Sequence, residues 1–178
     1  MNIKVKNLSK KFNNFIAVNN INFTLEKNKT LGLLGSNGCG KTTSIGMMLG
    51  LITPTSGEVI IDNKNVNNTN RSDLLSKMNF ASPYIELPKK LTVQQNLQVY
   101  GRLYGVKDLK NRISEISEDL NLNNFLNKNT GELSSGQKNR VSLAKSLINK
   151  PEVLFLDEPT ASLDPDIGDF VRQYIEIY

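Results

Sequence analysis

One cysteine, Cys39, in 178 residues leaves no disulfide framework and suits a reducing compartment. The opening residues, MNIKVKNLSK, have no apolar core of the kind that marks a secretory signal. Long hydrophobic runs are missing too. The longest apolar-rich stretch, Ile45 to Ile52, falls far short of the roughly 20 residues that a bilayer-spanning helix needs. Charge of one sign is concentrated nowhere: 22 Lys and Arg against 17 Asp and Glu give a net +5, without a basic block. That spread is weak ground for a nucleic-acid binder, and no nucleic-acid partner is expected; phosphates or an anionic membrane surface suit it equally well. Together these absences predict a soluble, cytoplasmic chain whose contact with a membrane comes through a partner. What is present is apolar material, 38% of the residues, enough for one sizeable core and a single domain. The asparagine run from Asn63 to Asn70 reads as loop composition and not as a functional repeat.

Hydrophobic spacing changes period along the chain. Ile3 and Val5, then Ile21, Phe23 and Leu25, alternate with polar residues and predict strands of a half-exposed sheet. Thr30 to Gly35 is a short apolar run ending in glycine, the pattern of a buried strand, and Lys41 to Leu51 then reads as a helix. Gly57 to Asp62 (GEVIID) predicts another strand, followed by a turn. Thr92 and Gln95 make a capping-box signature, with Val93, Leu97, Tyr100 and Tyr104 following at helical spacing. Leu109, Ile113, Ile116 and Leu120 line a second amphipathic helix, and Val141, Ala144, Leu147 and Ile148 a third. Val153 to Leu156 (VLFL) is continuously apolar, as expected of a parallel strand buried on both faces. Ile167, Phe170, Val171, Tyr174, Ile175 and Tyr178 form a stripe that is still helical at the last residue. Strands, a helical insert, then strand and helix again predict an α/β fold with an added β layer and a helical subdomain.

The strongest chemical signal is GSNGCGKTT: Gly35, Ser36, Asn37, Gly38, Cys39, Gly40, Lys41, Thr42 and Thr43. Gly35, four residues, then Gly40, Lys41 and Thr42 is the phosphate-binding loop pattern. Glycines let the backbone turn tightly, so that several N–H groups converge on phosphate oxygens at a helix N-terminus. Lys41 would reach the β- and γ-phosphates, and the Thr42 hydroxyl would ligate Mg²⁺. The bland alternative, a glycine turn before an ordinary helix, loses to the context of apolar run, loop and helix. Cys39 occupies a variable position of the loop and reads as a bystander. The second signal is VLFLDEP, where two carboxylates follow a buried strand and emerge at its carboxyl end, the edge at which open α/β sheets bind ligands. Asp157 would organise Mg²⁺ and its waters, and Glu158 would polarise a water for in-line attack on the γ-phosphate. An Asp-Glu-Pro after a strand is by itself an ordinary solvated loop. Paired with the phosphate loop it gains meaning.

The third signal is Leu133, Ser134, Ser135, Gly136 and Gln137, just upstream of the carboxylates. Alone it is a plausible helix N-cap, with Ser134 or Ser135 capping. Followed by the basic stretch Lys138, Asn139, Arg140 and Val141, it resembles the signature sequence of the ABC ATPases. Glu158 to Pro165 (EPTASLDP) resembles the same family's loop after the catalytic glutamate, with Asp164 as its aspartate at the dimer interface. Four motifs in family order extend the resemblance over essentially the whole chain. It implies a P-loop NTPase (RecA-like) core with an antiparallel β subdomain, assigned to 1–88 and 141–178, and an inserted helical subdomain at 89–140 carrying the signature. It also implies ATP and Mg²⁺ as cofactors, with Glu158 and Lys41 catalytic. Phe12 matches the aromatic on which adenine stacks, and Val18 a neighbouring apolar contact. Two such domains pair head to tail, so that Ser134 to Gln137 of one close over ATP held by the other. A transmembrane permease is the further partner, which places the chain on the inner face of the cell membrane.

Three departures stand out. The family's glutamine after the strand near Met78 to Ala81 is absent: the sequence reads ASPYIELP, with Ser82, Pro83 or Tyr84 at that place, and Gln94 and Gln95 come too late. This stretch is nearest to export-type relatives. Ser135 replaces the first of two family glycines. Histidine is absent altogether, and the strand that carries the family's switch histidine, with the closing helices, is missing after the helix from Pro165. The resemblance therefore implies a C-terminally shortened domain, a fragment or a truncated product. An ATP-hydrolysing subunit of an ABC transporter is the leading expectation. A soluble ABC ATPase of chromosome maintenance, repair or translation is the second, and a nucleotide-binding but hydrolysis-deficient fragment the third.

Overall fold

Alternation at the start of the chain has a simple outcome. Ile3 and Val5 point into a core while Lys4 is left exposed, and the strand β1 (Ile3–Phe12) forms around that pattern. The computed structural model describes residues 1–66, 72–82, 86–158 and 165–177, without the side chains of 165–167 and 176–177. Asn67 to Asn70, Pro83, Tyr84, the 159–164 loop with Asp164, the Ile167 side chain and Tyr178 lie outside the described residues. Two compact units result, Met1–Met78 and Asn79–Tyr178.

In the first unit β1 pairs antiparallel with β2 (Phe15–Leu25) on one side and β3 (Ser56–Ile61) on the other. The short β4 (Lys64–Asn65) completes a sheet of order β2-β1-β3-β4. Ile3 faces Leu25 and Ile61, and Val5 faces Val59, so apolar residues stack across the strands. Asp62 and Asn63 join β3 to β4 with φ of 44° and 64°, the left-handed pair that a two-residue hairpin demands. Buried Ile3, Val5, Leu8, Val59 and Ile61 make the sheet's inner face. The helix α1 (Lys41–Met48) packs beside β2 and buries Ile45, Met47 and Met48. It ends earlier than its apolar run suggests. Gly50 takes φ 66°, and the bonds Gly50 N–H to Met47 O and Leu51 N–H to Gly46 O close a Schellman motif. One turn, α2 (Ser72–Ser76), buries Leu74.

The predicted strand at Thr30–Gly35 is not formed. Residues 29–36 carry no regular structure, and Leu34 is 96% exposed. An extended apolar stretch becomes a strand only where neighbours supply a ladder, and the sheet of this unit does not include it.

The second unit is mainly helical. Its helices are α3 (Val93–Leu103), α4 (Leu109–Asp119), α5 (Ser135–Leu147) and α6 (Pro165–Ile177). Thr92 starts α3 with both arms of the capping box, as its sequence predicts. Val93, Leu97, Ile116, Leu120, Val141, Ala144, Leu147 and Val171 share one core, the i, i+3, i+4 faces meeting inside. Buried Arg112 on α4 caps the end of α5, donating from Nη2 to Leu147 O (2.6 Å) and from Nε to Ile148 O (3.2 Å). Its partner is Glu115 at 2.9 Å. Asn96 on α3 is buried and donates to Thr92 O (3.1 Å) and Pro88 O (3.3 Å), while Thr130 Oγ1 donates to Pro88 O at 2.7 Å. The entry to α3 is thereby tied to the turn that precedes α5. The strand β5 (Met78–Ala81) pairs with β6 (Val153–Leu156). Of the VLFL residues only Phe155 is buried, the others half-buried. Burial on both faces was expected, but among the described residues β6 has a single strand neighbour.

Candidate functional site

The phosphate-loop residues follow the exposed Leu34 and lead straight into α1. Gly38 and Gly40 take φ of 81° and 94°, conformations that a side chain resists. Gly40 also touches β2: a Cβ there would lie 2.2 Å from Ala17 O and 3.0 Å from Val18 Cγ2. Val18 is therefore a buried support under the start of the helix, 5% exposed. The N-cap of α1 is Gly40 itself, with no side-chain cap and no acidic residue in the first turn. The positive end of the helix dipole and its first N–H groups thus face the loop, the arrangement that attracts an anion. Ser36, Asn37, Cys39 and Thr42 are exposed, and Thr43 is half-buried.

Lys41 folds over the loop. Its Nζ donates to Gly35 O at 2.8 Å and Ser36 O at 2.9 Å, which holds the ammonium where loop and helix meet. Cys39 is a free, exposed thiol with its Sγ 4.0 Å from that ammonium. Phe12 ends β1 opposite Phe15; the residue is 45% exposed, and Lys10 Nζ lies 4.9 Å from the ring centroid. Phe12, Val18 and Gly35 to Thr43 all belong to the first unit.

The carboxylates and the signature belong to the second. Asp157 follows β6, is buried, and donates its N–H to Ala81 O at 2.9 Å. Glu158 is exposed and has φ 50°, a left-handed backbone that is uncommon for glutamate and marks a locally constrained turn. Leu133 is buried and anchors the signature. Ser134 caps α5: its Oγ accepts from Gln137 N–H (3.3 Å), and Gln137 Oε1 accepts from Ser134 N–H (3.0 Å). Ser134 and Ser135 stay exposed at the helix N-terminus, while Gly136 is buried. Further along α5, the Arg140 guanidinium covers the Phe125 ring at 5.1 Å and donates to Asn121 O at 3.1 Å. Burial holds the Lys145 ammonium below its ordinary value, over the Tyr100 ring at 5.2 Å. Ser82, the one described residue of the three at the place of the absent glutamine, is buried, and its carbonyl accepts from Ser142 Oγ at 3.5 Å.

Three features of these sites escape a motif search. The seat of Gly40 on Ala17 needs the fold. The left-handed Glu158 has no sequence signal, since glutamate is not a habitual turn former. Lys10 is the third: spacing puts it on the same strand as Phe12, but where its ammonium lies depends on the register shifts of β1 against β2.

Thr42 in the first unit carries an exposed hydroxyl and Asp157 in the second a buried carboxylate, each a hard oxygen donor of the kind that suits magnesium. Among the described residues no helix is long and apolar enough to cross a membrane.

The profile of the ABC transporter family matches residues 18–161, beginning after Phe12 and ending before Asp164. Over 165 residues the chain is 37% identical to the probable multidrug ABC transporter ATP-binding protein YbhF of Escherichia coli (strain K12), covering 92% of this chain and 28% of that protein. It is 37% identical over 162 residues to the zinc import ATP-binding protein ZnuC of Rickettsia conorii, covering 91% of this chain and 64% of that one. The chain thus spans less than two thirds of the length of these curated relatives. Among solved structures, a putative ABC transporter ATP-binding protein from Pyrococcus furiosus aligns with TM-score 0.87 at 30% identity, covering 99% of this chain and 85% of that one. A dimeric ATP-binding cassette in a post-hydrolysis state with ADP and Pi aligns with TM-score 0.86 at 28% identity, covering 97% and 81%. Motif order, fold and sequence likeness agree: the chain belongs to the ABC transporter family, as an ATP-binding cassette.

Proposed function

We propose that this chain binds and hydrolyses ATP as the motor of an ABC membrane transporter. The observation that carries the reading is the phosphate loop, with Lys41 held across its carbonyls at an uncapped helix N-terminus. The triphosphate would lie on the N–H groups of Gly38 to Thr43, and Lys41 would exchange its two loop carbonyls for β- and γ-phosphate oxygens. Adenine would stack on Phe12, with Val18 as apolar backing between base and loop. Mg²⁺, held by Thr42 and Asp157, would neutralise charge on the phosphates. Glu158 would accept the proton of the attacking water as general base.

Ser134 to Gln137 would close over nucleotide held by a second copy or a related cassette, with Asp164 at the interface between them. The exposed Ser134 and Ser135 at the start of α5 support that role, since a helix N-terminus offers its donors to a γ-phosphate. Closing and opening would drive a transmembrane permease at the inner face of the cell membrane. In this cycle a core at 1–88 and 141–178 would bind the nucleotide, and a helical insert at 89–140 would carry the signature. The names of these relatives speak for transport over the soluble roles; one is named for import and the other names no direction.

A test is Glu158→Gln in the presence of ATP and Mg²⁺. Turnover is expected to fall by about a hundredfold, with an ATP-dependent dimer visible by analytical ultracentrifugation. Hydrolysis near the wild-type rate would remove Glu158 as the base.

A further inference from the structure

We infer that Lys10 is a positioning residue for the adenine base, acting through Phe12; this rests on the reading that Phe12 stacks the base. Lys10 and Phe12 lie two residues apart on β1, on a stretch where the register with β2 shifts between Leu8 and Lys10 and again between Lys10 and Lys11. Such irregularities re-aim side chains. Here the outcome is an ammonium 4.9 Å from the centre of the Phe12 ring. That ammonium is not loose. It donates to Thr53 O at 2.8 Å, in the segment entering β3. The same segment is zipped to the end of β1 by Lys11 N–H to Thr55 Oγ1 (3.0 Å) and Thr55 N–H to Ser9 O (2.9 Å). Opposite Lys10 on β2 sits Val18, the residue that supports Gly40 at the head of α1.

Two consequences follow for the ring of Phe12, a residue that is 45% exposed. One side of Phe12 is occupied by a fixed cation, so the ring is held from behind and a base has the remaining surface to stack upon. The cation also draws π-electron density toward itself, which reduces repulsion between the phenyl face and the electron-rich face of a purine. Lys10 thus favours the base, whereas Lys41 favours the phosphates.

The test compares equilibrium binding of ATP and of inorganic tripolyphosphate, both with Mg²⁺, to wild type, Lys10→Met, Lys10→Arg, Phe12→Ala and the Lys10→Met/Phe12→Ala pair. Lys10→Met is expected to weaken ATP about three- to fivefold, as a surface cation–π contact would, and to leave tripolyphosphate unchanged. Lys10→Arg, still a cation able to cover the ring, should restore ATP binding. In the Phe12→Ala background Lys10→Met should have no further effect. The assignment is overturned if Lys10→Met binds ATP like wild type, if it loses ATP and tripolyphosphate equally, or if it costs as much without Phe12 as with it. Phe12→Ala with wild-type ATP affinity would instead overturn the stacking reading underneath, a different result from a Phe12 that matters beside a Lys10 that does not.

Discussion

Gly40 combines two demands that no other residue type meets. It turns the chain at φ 94° and lets the head of α1 rest on the backbone of β2, where a Cβ would sit 2.2 Å from Ala17 O. Gly40→Ala must therefore strain the backbone and displace either loop or strand. It is expected to destabilise the first unit by about 3 kcal/mol and to weaken nucleotide binding, read from a denaturant midpoint and a titration. An unchanged midpoint would mean that the loop is not seated as described. The glycines and the lysine of the loop were legible because phosphate binding restricts residue types at fixed spacing. The left-handed Glu158 and the ring-covering Lys10 were not, because each depends on where the neighbouring backbone lies. Val18 changes meaning in the same way: the resemblance offers it as a contact to the base, and the fold makes it first the floor under Gly40.

At the level of elements, period and caps were the reliable guides. Thr92 with Gln95 and Ser134 with Gln137 both form reciprocal capping boxes, and α3, α4 and α5 follow their apolar stripes. An apolar run without a cap or a period is a poor guide. Thr30 to Gly35 has the composition of a strand and no ladder, and the helix after the loop stops at Met48 because Gly50 reverses the chain. Composition states what a segment could be; hydrogen-bond partners decide what it becomes. Arg112 is an element-scale feature of the same sort, a buried cation that closes the end of α5 from α4. Arg112→Ala strands two carbonyls and removes one of the two cations on the Glu115 carboxylate, leaving Lys150 at 3.2 Å, so a loss of about 2–4 kcal/mol is expected. Urea unfolding should show a lower midpoint with an unaltered slope. A midpoint within error of wild type would show that the carbonyls find other donors.

For the whole molecule, sequence order carried more than any single site. LSSGQ alone is a helix cap, and the structure uses Ser134 as one. DEP alone is a loop. Phosphate loop, signature and carboxylate pair in that order are what identify a cassette, and they are distributed over both compact units, the loop in Met1–Met78 and the rest in Asn79–Tyr178. A chain built this way is expected to take nucleotide by its phosphates first, through Lys41 and the head of α1. Calorimetric titration of Mg-ATP into wild type and Lys41→Ala tests that directly. Wild type should saturate at one site, and Lys41→Ala should bind about 10- to 100-fold more weakly, the loss of charge-assisted hydrogen bonds worth about 1.5–3 kcal/mol. Equal affinities for the two proteins would contradict the phosphate-loop assignment and the ATP-driven function built on it.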